Sequence, residues 1–331
     1  MTPLEKQYRS TVNRIAISLL LFYVSFSIYS VLLTYVVPLF TDRMSAVAGR
    51  VTYELIYGVL YAAVFLLPAW FYYFLARRRP HEPLDIALRL PTHTLLYILV
   101  GLALISAAGY LNSMLLQVFD YAAFSNEAFF QYDITLNYQM VLMFFTVVVI
   151  PAFVEELLFR GVILQNLLPF GKSAAVITGA LLFGVMHQNA GQLLYATVAG
   201  LLLGYVYVQT RSLWCCVLIH FCYNFLSLVH TVLLERLPEK HATLLIFTME
   251  LLVFALGIVA AIYLILHKEK EGDGGISAEP LEMEPFSDAE VVAAPLALSR
   301  RIRLFCSLPM IAYFVLCAVQ MLALLGLSLL V

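Results

Sequence analysis

Hydrophobic residues run along this chain in long blocks separated by short polar breaks. About 20 consecutive apolar residues make a helix long enough to cross the hydrocarbon core of a bilayer. The blocks lie at about 15–39, 51–75, 94–118, 139–168, 173–188, 192–209, 213–234, 242–266 and 303–330, and predict up to nine spans. The fifth and sixth are short, with Gln188, Asn189 and Gly191 between them, which predicts a tight helical hairpin that does not fully cross. The first block is too long for a signal-peptide core and lacks a small-residue cleavage site, so it reads as a retained span.

Composition agrees with the pattern. Of 331 residues 63% are hydrophobic and 12% charged, against about a quarter charged in soluble domains. The net charge of −2 and the lack of a basic patch give no sign of a nucleic-acid partner. Cys215, Cys216, Cys222, Cys306 and Cys317 lie in apolar runs without zinc-finger spacing, so no disulfide framework is predicted. Lys6, Arg9 and Arg14 precede the first span, Arg77, Arg78, Arg79 and Arg89 follow the second, and the loop after the third has no lysine or arginine. This bias predicts a multi-pass protein of the cell membrane with a cytoplasmic N-terminus. The stretch 268–300 is acidic and glycine-containing and predicts a disordered cytoplasmic linker, on which a partner protein docks in the alternative reading.

Three ionisable residues interrupt the fourth apolar block. Glu156 and Arg160 are four apart and can pair on one helix face. Glu155 is turned about 100° from Glu156 and has no basic residue within a turn. An unpaired carboxylate in lipid is costly and marks a functional site by default. Three more polar residues lie in apolar runs: His187, one turn after Phe183, and His220 with Asn224, four apart. Counted from the cytoplasmic loops, Glu155 and His187 lie about 20 Å deep, Asn224 about 16 Å and His220 about 11 Å. Together they predict one polar pocket walled by Phe183. There Glu155 would take a proton from water, and His187 would share that water or protonate a leaving amine. His220 and Asn224 would donate hydrogen bonds to an oxyanion. Glu155, His187 and His220 equally form a catalytic zinc set with an open position, although no H-E-x-x-H is present. The plainer readings make Glu156–Arg160 a structural ion pair, Asn224 a helix–helix contact and His230 structural. They place most Tyr and Phe toward lipid and the interfacial belts.

Glu155-Glu156-x-x-x-Arg160, Phe183-x-x-x-His187 and His220-x-x-x-Asn224, in this order, resemble the motif set of the CPBP family. That family holds the type II CAAX prenyl endopeptidases and Abi-like relatives linked to bacteriocin processing. Phe159-Arg160-Gly161 is similar to its usual continuation, and the resemblance covers about 139–234. It implies an all-α polytopic membrane protein of about 8–9 transmembrane helices with a conical catalytic helix bundle. It implies that Glu155 and His187 activate water and that His220 and Asn224 form the oxyanion site, with Glu156, Arg160 and Phe183 in support. Members are discussed both as metalloproteases and as metal-independent glutamic proteases. The expectation is the glutamic type without a cofactor, zinc on Glu155, His187 and His220 being the alternative.

The chain then divides into a three-span region (1–138), a catalytic core (139–234), an eighth span (235–267), the linker (268–300) and a C-terminal span (301–331). The expected function is an intramembrane endopeptidase that cuts a membrane-associated peptide, lipidated or apolar, within the lipid bilayer. Two other readings are a non-catalytic scaffold binding a partner protein and a proton-coupled transporter. The transporter lacks the repeated halves many such proteins show.

Overall fold

The computed structural model describes residues 1–118, 137–267 and 297–328, and every regular element among them is a helix. Helix α1 (Pro3–Val31) starts in a capping box: Thr2 Oγ1 accepts from the Glu5 N–H, and Glu5 Oε2 accepts from the Thr2 N–H. It continues through a π-helical stretch, Leu32–Val36, into Pro38–Thr41. Then follow α2 (Ala46–Ala76) and α3 (Thr94–Val118). The composite α4 (137–170) has π-helical stretches at Phe144–Val149 and Leu157–Leu164. After it come α5 (Lys172–Met186), α6 (Ala190–Thr210), α7 (Leu213–Arg236), α8 (Glu239–His267), α9 (Leu298–Phe305) and α10 (Leu308–Ser328).

Among the described residues seven helices are long and apolar enough to cross a membrane, and α9 with α10, bent by 72°, makes an eighth if counted as one broken span. The fifth block of the sequence is α5. Its 15 residues reach only about 22 Å, short of a hydrocarbon core of about 30 Å. The sixth block differs from expectation, for α6 runs 21 residues and is long enough to span. Its ends explain the gain: Asn189 Oδ1 caps the start by accepting from the Gly191 N–H at 2.8 Å, and Arg211 stops the helix in the left-handed region at φ 50°. The acidic stretch lies outside the described residues except at its end, where residues 298–300 already belong to α9.

Helix α4 is the centre of the bundle. From Leu157 to Leu164 every residue is buried, as a helix apolar on all sides must be when other elements surround it. It packs on α2 and α7, and the α5–α6 hairpin closes a third side; α1 backs α2, and α3 lies against α6, α7 and α8. The C-terminal helix is less peripheral than its tether suggested. It packs on α1 and α5 with Tyr313 and Cys317 fully buried, while Arg300 grips Glu5 through Nε at 2.6 Å and Nη2 at 3.2 Å.

The hairpin is tight because small residues let its backbones meet. A Cβ added at Gly200 would lie 2.8 Å from the Ala180 Cα, a backbone atom that cannot swing aside. We expect Gly200→Leu to separate α5 from α6 and lower the melting temperature in detergent by more than 5 °C. Differential scanning fluorimetry checks this, and an unchanged transition would contradict the close contact.

An extended strap, residues 80–91, crosses one end of the core. Its carbonyls at Pro80, Pro83, Ile86 and Arg89 accept from Arg14 Nη2, Gln165 Nε2, Trp214 Nε1 and Ser212 Oγ. Acceptors at every third residue fit a polyproline-type chain, whose backbone makes no bonds of its own. Gly161 exists for this strap: a Cβ there would stand 2.8 Å from Leu84 Cδ1.

Candidate active site

The run that carries Glu155 and Glu156 sits at the junction between an ordinary helical segment, Ile150–Glu156, and the π-helical Leu157–Leu164. Such π-helical turns inside α-helices often occur at functional sites. Glu155 is 4% exposed and Glu156 is fully buried. The expected Glu156–Arg160 pair forms, with Nη1 donating to Glu156 Oε1 at 2.9 Å. Arg160 also donates from Nη2 to the Gly200 carbonyl at 3.3 Å and lies 4.6 Å over the Phe183 ring. A buried guanidinium needs this many partners, since desolvation would otherwise exceed its attraction to one carboxylate.

The same Glu156 oxygen receives a hydrogen bond from His220 Nδ1 at 2.9 Å. Glu156 is therefore more than a brace within its own helix: it fixes an imidazole brought by α7. Depth counting placed His220 well above the glutamates, whereas this bond puts them at one level. Tilted helices do not advance along the membrane normal by the full 1.5 Å per residue. His187, at the C-terminal end of α5, donates from Nδ1 to the Phe183 carbonyl at 2.8 Å. A carbonyl only accepts, so Nδ1 carries the proton, and a neutral ring then offers Nε2 as an acceptor. Phe183 is 3% exposed and stands between the histidines, its ring centroid 5.2 Å from that of His187 and 6.2 Å from that of His220.

Asn224 takes a different partner. Its Nδ2 donates to the Val147 carbonyl at 3.2 Å. This bond ties α7 to the π-helical stretch of α4, and Asn224 has a second N–H left. Among the described residues no three His, Cys, Asp or Glu side chains are grouped to hold a metal ion.

Sequence reasoning missed three residues. Tyr61 on α2 donates its hydroxyl to Glu155 Oε1 at 2.6 Å. Tyr61 and Tyr57 were counted among belt residues, but their rings stack at 6.0 Å and turn inward, against Tyr29 and Glu155. The recurrence of tyrosine at 53, 57 and 61, one helix face, was the available signal. Glu54, 1% exposed, pairs with Arg50 at 2.9 Å and accepts from Thr146 at 3.3 Å. Glu250, 6% exposed, accepts from Ser106 at 3.4 Å and lies 3.6 Å from His230 Nε2. Both carboxylates stand alone in apolar blocks, and neither touches the cluster around Phe183 by any hydrogen bond among the described residues.

Residues 137–226 match the family model described as Rce1-like, type II CAAX prenyl endopeptidase. That segment belongs to the CPBP family. At family level the match supports an intramembrane CAAX endopeptidase, a class that acts on membrane-associated peptides. No curated protein and no solved structure matches the chain. The CPBP segment holds Glu155, Glu156, Arg160, Phe183, His187, His220 and Asn224. It does not hold Tyr61, which reaches the site from α2.

Proposed function

We propose that this protein hydrolyses a peptide bond in a lipidated or apolar peptide, using water activated by Glu155 and His187. What supports the reading is that each of the two side chains, both in the matched segment, has one heteroatom committed and one open. Glu155 Oε1 is held by Tyr61 and His187 Nδ1 by the Phe183 carbonyl. Glu155 Oε2 and His187 Nε2 make no hydrogen bond among the described residues and are the atoms left for water. Glu155 takes a proton as water attacks the carbonyl carbon and passes it to His187 Nε2, which delivers it to the departing amine. His220, protonated on both nitrogens with Nδ1 held by Glu156, donates from Nε2 to the oxyanion beside the second N–H of Asn224. The hydrolysis is of the glutamic type and routes no step through a metal. The protein sits in the cell membrane with a cytoplasmic N-terminus, so the substrate reaches the site while its lipid or apolar segment holds it at the bilayer.

The test is cleavage of fluorogenic peptides, prenylated and unprenylated, by purified wild type and His187→Ala in detergent, each with and without a zinc chelator. Wild-type cleavage that survives the chelator and falls by about 10²- to 10⁴-fold in His187→Ala supports the reading. Cleavage lost to the chelator and restored by zinc overturns the glutamic mechanism. Cleavage retained by His187→Ala overturns the role of that histidine.

A further inference from the structure

We propose that Tyr61 is a positioning residue for Glu155, so that the catalytic unit includes α2 and is incomplete in the CPBP segment alone. The inference rests on the proposed role of Glu155 as the base. A phenol hydroxyl donating to a carboxylate at 2.6 Å is a short, charge-assisted bond of the strong kind. It ties down Oε1 and leaves Oε2 as the oxygen that faces water. A Glu side chain held only at its backbone turns about three torsions. One fixed oxygen removes most of that freedom and sets the direction of the other.

The phenol is itself immobilised. Its ring lies 5.1 Å from Phe65, 6.0 Å from Tyr57 and 6.1 Å from Tyr29, centroid to centroid. Phe65, 1% exposed, rests in turn against Phe22 of α1 at 5.1 Å. The column fixes Tyr61 from two helices, as supporting residues must fix a site that works to within about 0.5 Å. Helix α2 can bring the hydroxyl so near because it meets α4 at Gly58, where an added Cβ would lie 3.0 Å from Ile150 Cδ1. Tyr61 touches Glu155 and not the reacting water, so it acts through the carboxylate.

Purified full-length Tyr61→Phe tests this beside Glu155→Gln and wild type, with steady-state cleavage and thermal unfolding measured on each. Phe keeps the ring column and removes only the hydroxyl. We expect kcat to fall about 10- to 100-fold, the scale of a misaligned catalytic group, with KM and melting temperature close to wild type. A fluorotyrosine at position 61, which keeps ring and hydroxyl, should restore kcat to within about threefold of wild type, the hydrogen-bond donor being retained. Wild-type kcat in Tyr61→Phe beside an inactive Glu155→Gln overturns the positioning role and leaves the proposed function standing. A lower melting temperature or raised KM with unchanged kcat likewise assigns Tyr61 to packing alone. Wild-type activity in Glu155→Gln removes the base, and the inference falls with it.

Discussion

Glu155→Gln is expected to reduce peptide cleavage by at least about 10³-fold, within the range for losing a general base. Gln has nearly the shape of Glu, so the buried site is not emptied. Its amide oxygen still accepts from the Tyr61 hydroxyl, which keeps the contact that fixes the side chain. What is lost is the capacity to take a proton from water. The substitution also removes a charge from a position 4% exposed, and burying an unneeded charge is unfavourable, so the folded protein should be at least as stable. The measurement is cleavage per mole of monodisperse protein, with size-exclusion profile and melting temperature as controls. Activity above a tenth of wild type in well-folded Glu155→Gln would refute the assignment. A scaffold that binds without cleaving would keep its phenotype in the same variant.

Arg160→Met should have the second largest effect, and it should strike stability and activity together. Arg160 is 2% exposed and joins three elements through Glu156 on α4, the Gly200 carbonyl on α6 and the face of Phe183 on α5. Met fills the volume but leaves Glu156 fully buried without its cation. Breaking a buried pair in this way costs about 3–5 kcal/mol in soluble proteins. His220 would then face an unbalanced carboxylate through the only hydrogen bond that orients it among the described residues. We expect a melting temperature lower by 10 °C or more and cleavage below a hundredth of wild type. Arg160→Lys should recover part of the stability, since an ammonium replaces the charge but not the planar fork that serves Glu156 and Gly200 at once. The double variant Glu156→Gln with Arg160→Met should also regain stability, because neither charge is left alone, while cleavage stays low. A wild-type transition in Arg160→Met would show that the pair is not needed.

Particular residues show how far the sequence reached. Glu156 and Arg160 were legible as a pair because four residues is one helical turn, and the turn alone brings them together. Phe183 with His187, and His220 with Asn224, were legible for the same reason. The partners that cross between helices were not. Nothing local tells that His220 will meet Glu156, that Asn224 will donate to the Val147 carbonyl, or that Leu84 of the strap will fill the notch at Gly161. The tyrosines of α2 were misread because a membrane helix has two apolar surroundings, lipid and protein, and composition does not tell them apart. Glu250 was passed over because its partners, Ser106 and His230, lie on other helices. Glu54 has Arg50 one turn before it on the same helix, a pair the spacing did show, but its Thr146 partner lies on α4.

The sequence by itself determined the class of molecule: helices of membrane-crossing length, a carboxylate stranded in the fourth of them, and three motifs of four-residue spacing. These follow from helix period and from the cost of polar groups in lipid, both local quantities; that the motifs resemble those of the CPBP family is a separate, comparative reading. Only the tertiary structure decided that the sixth block is long enough to span, that the last is broken by 72°, and that α2 lends Tyr61 to the site. Those depend on which faces meet across the bundle, and small residues such as Gly58 and Gly200, each without a side chain, decide how closely they meet.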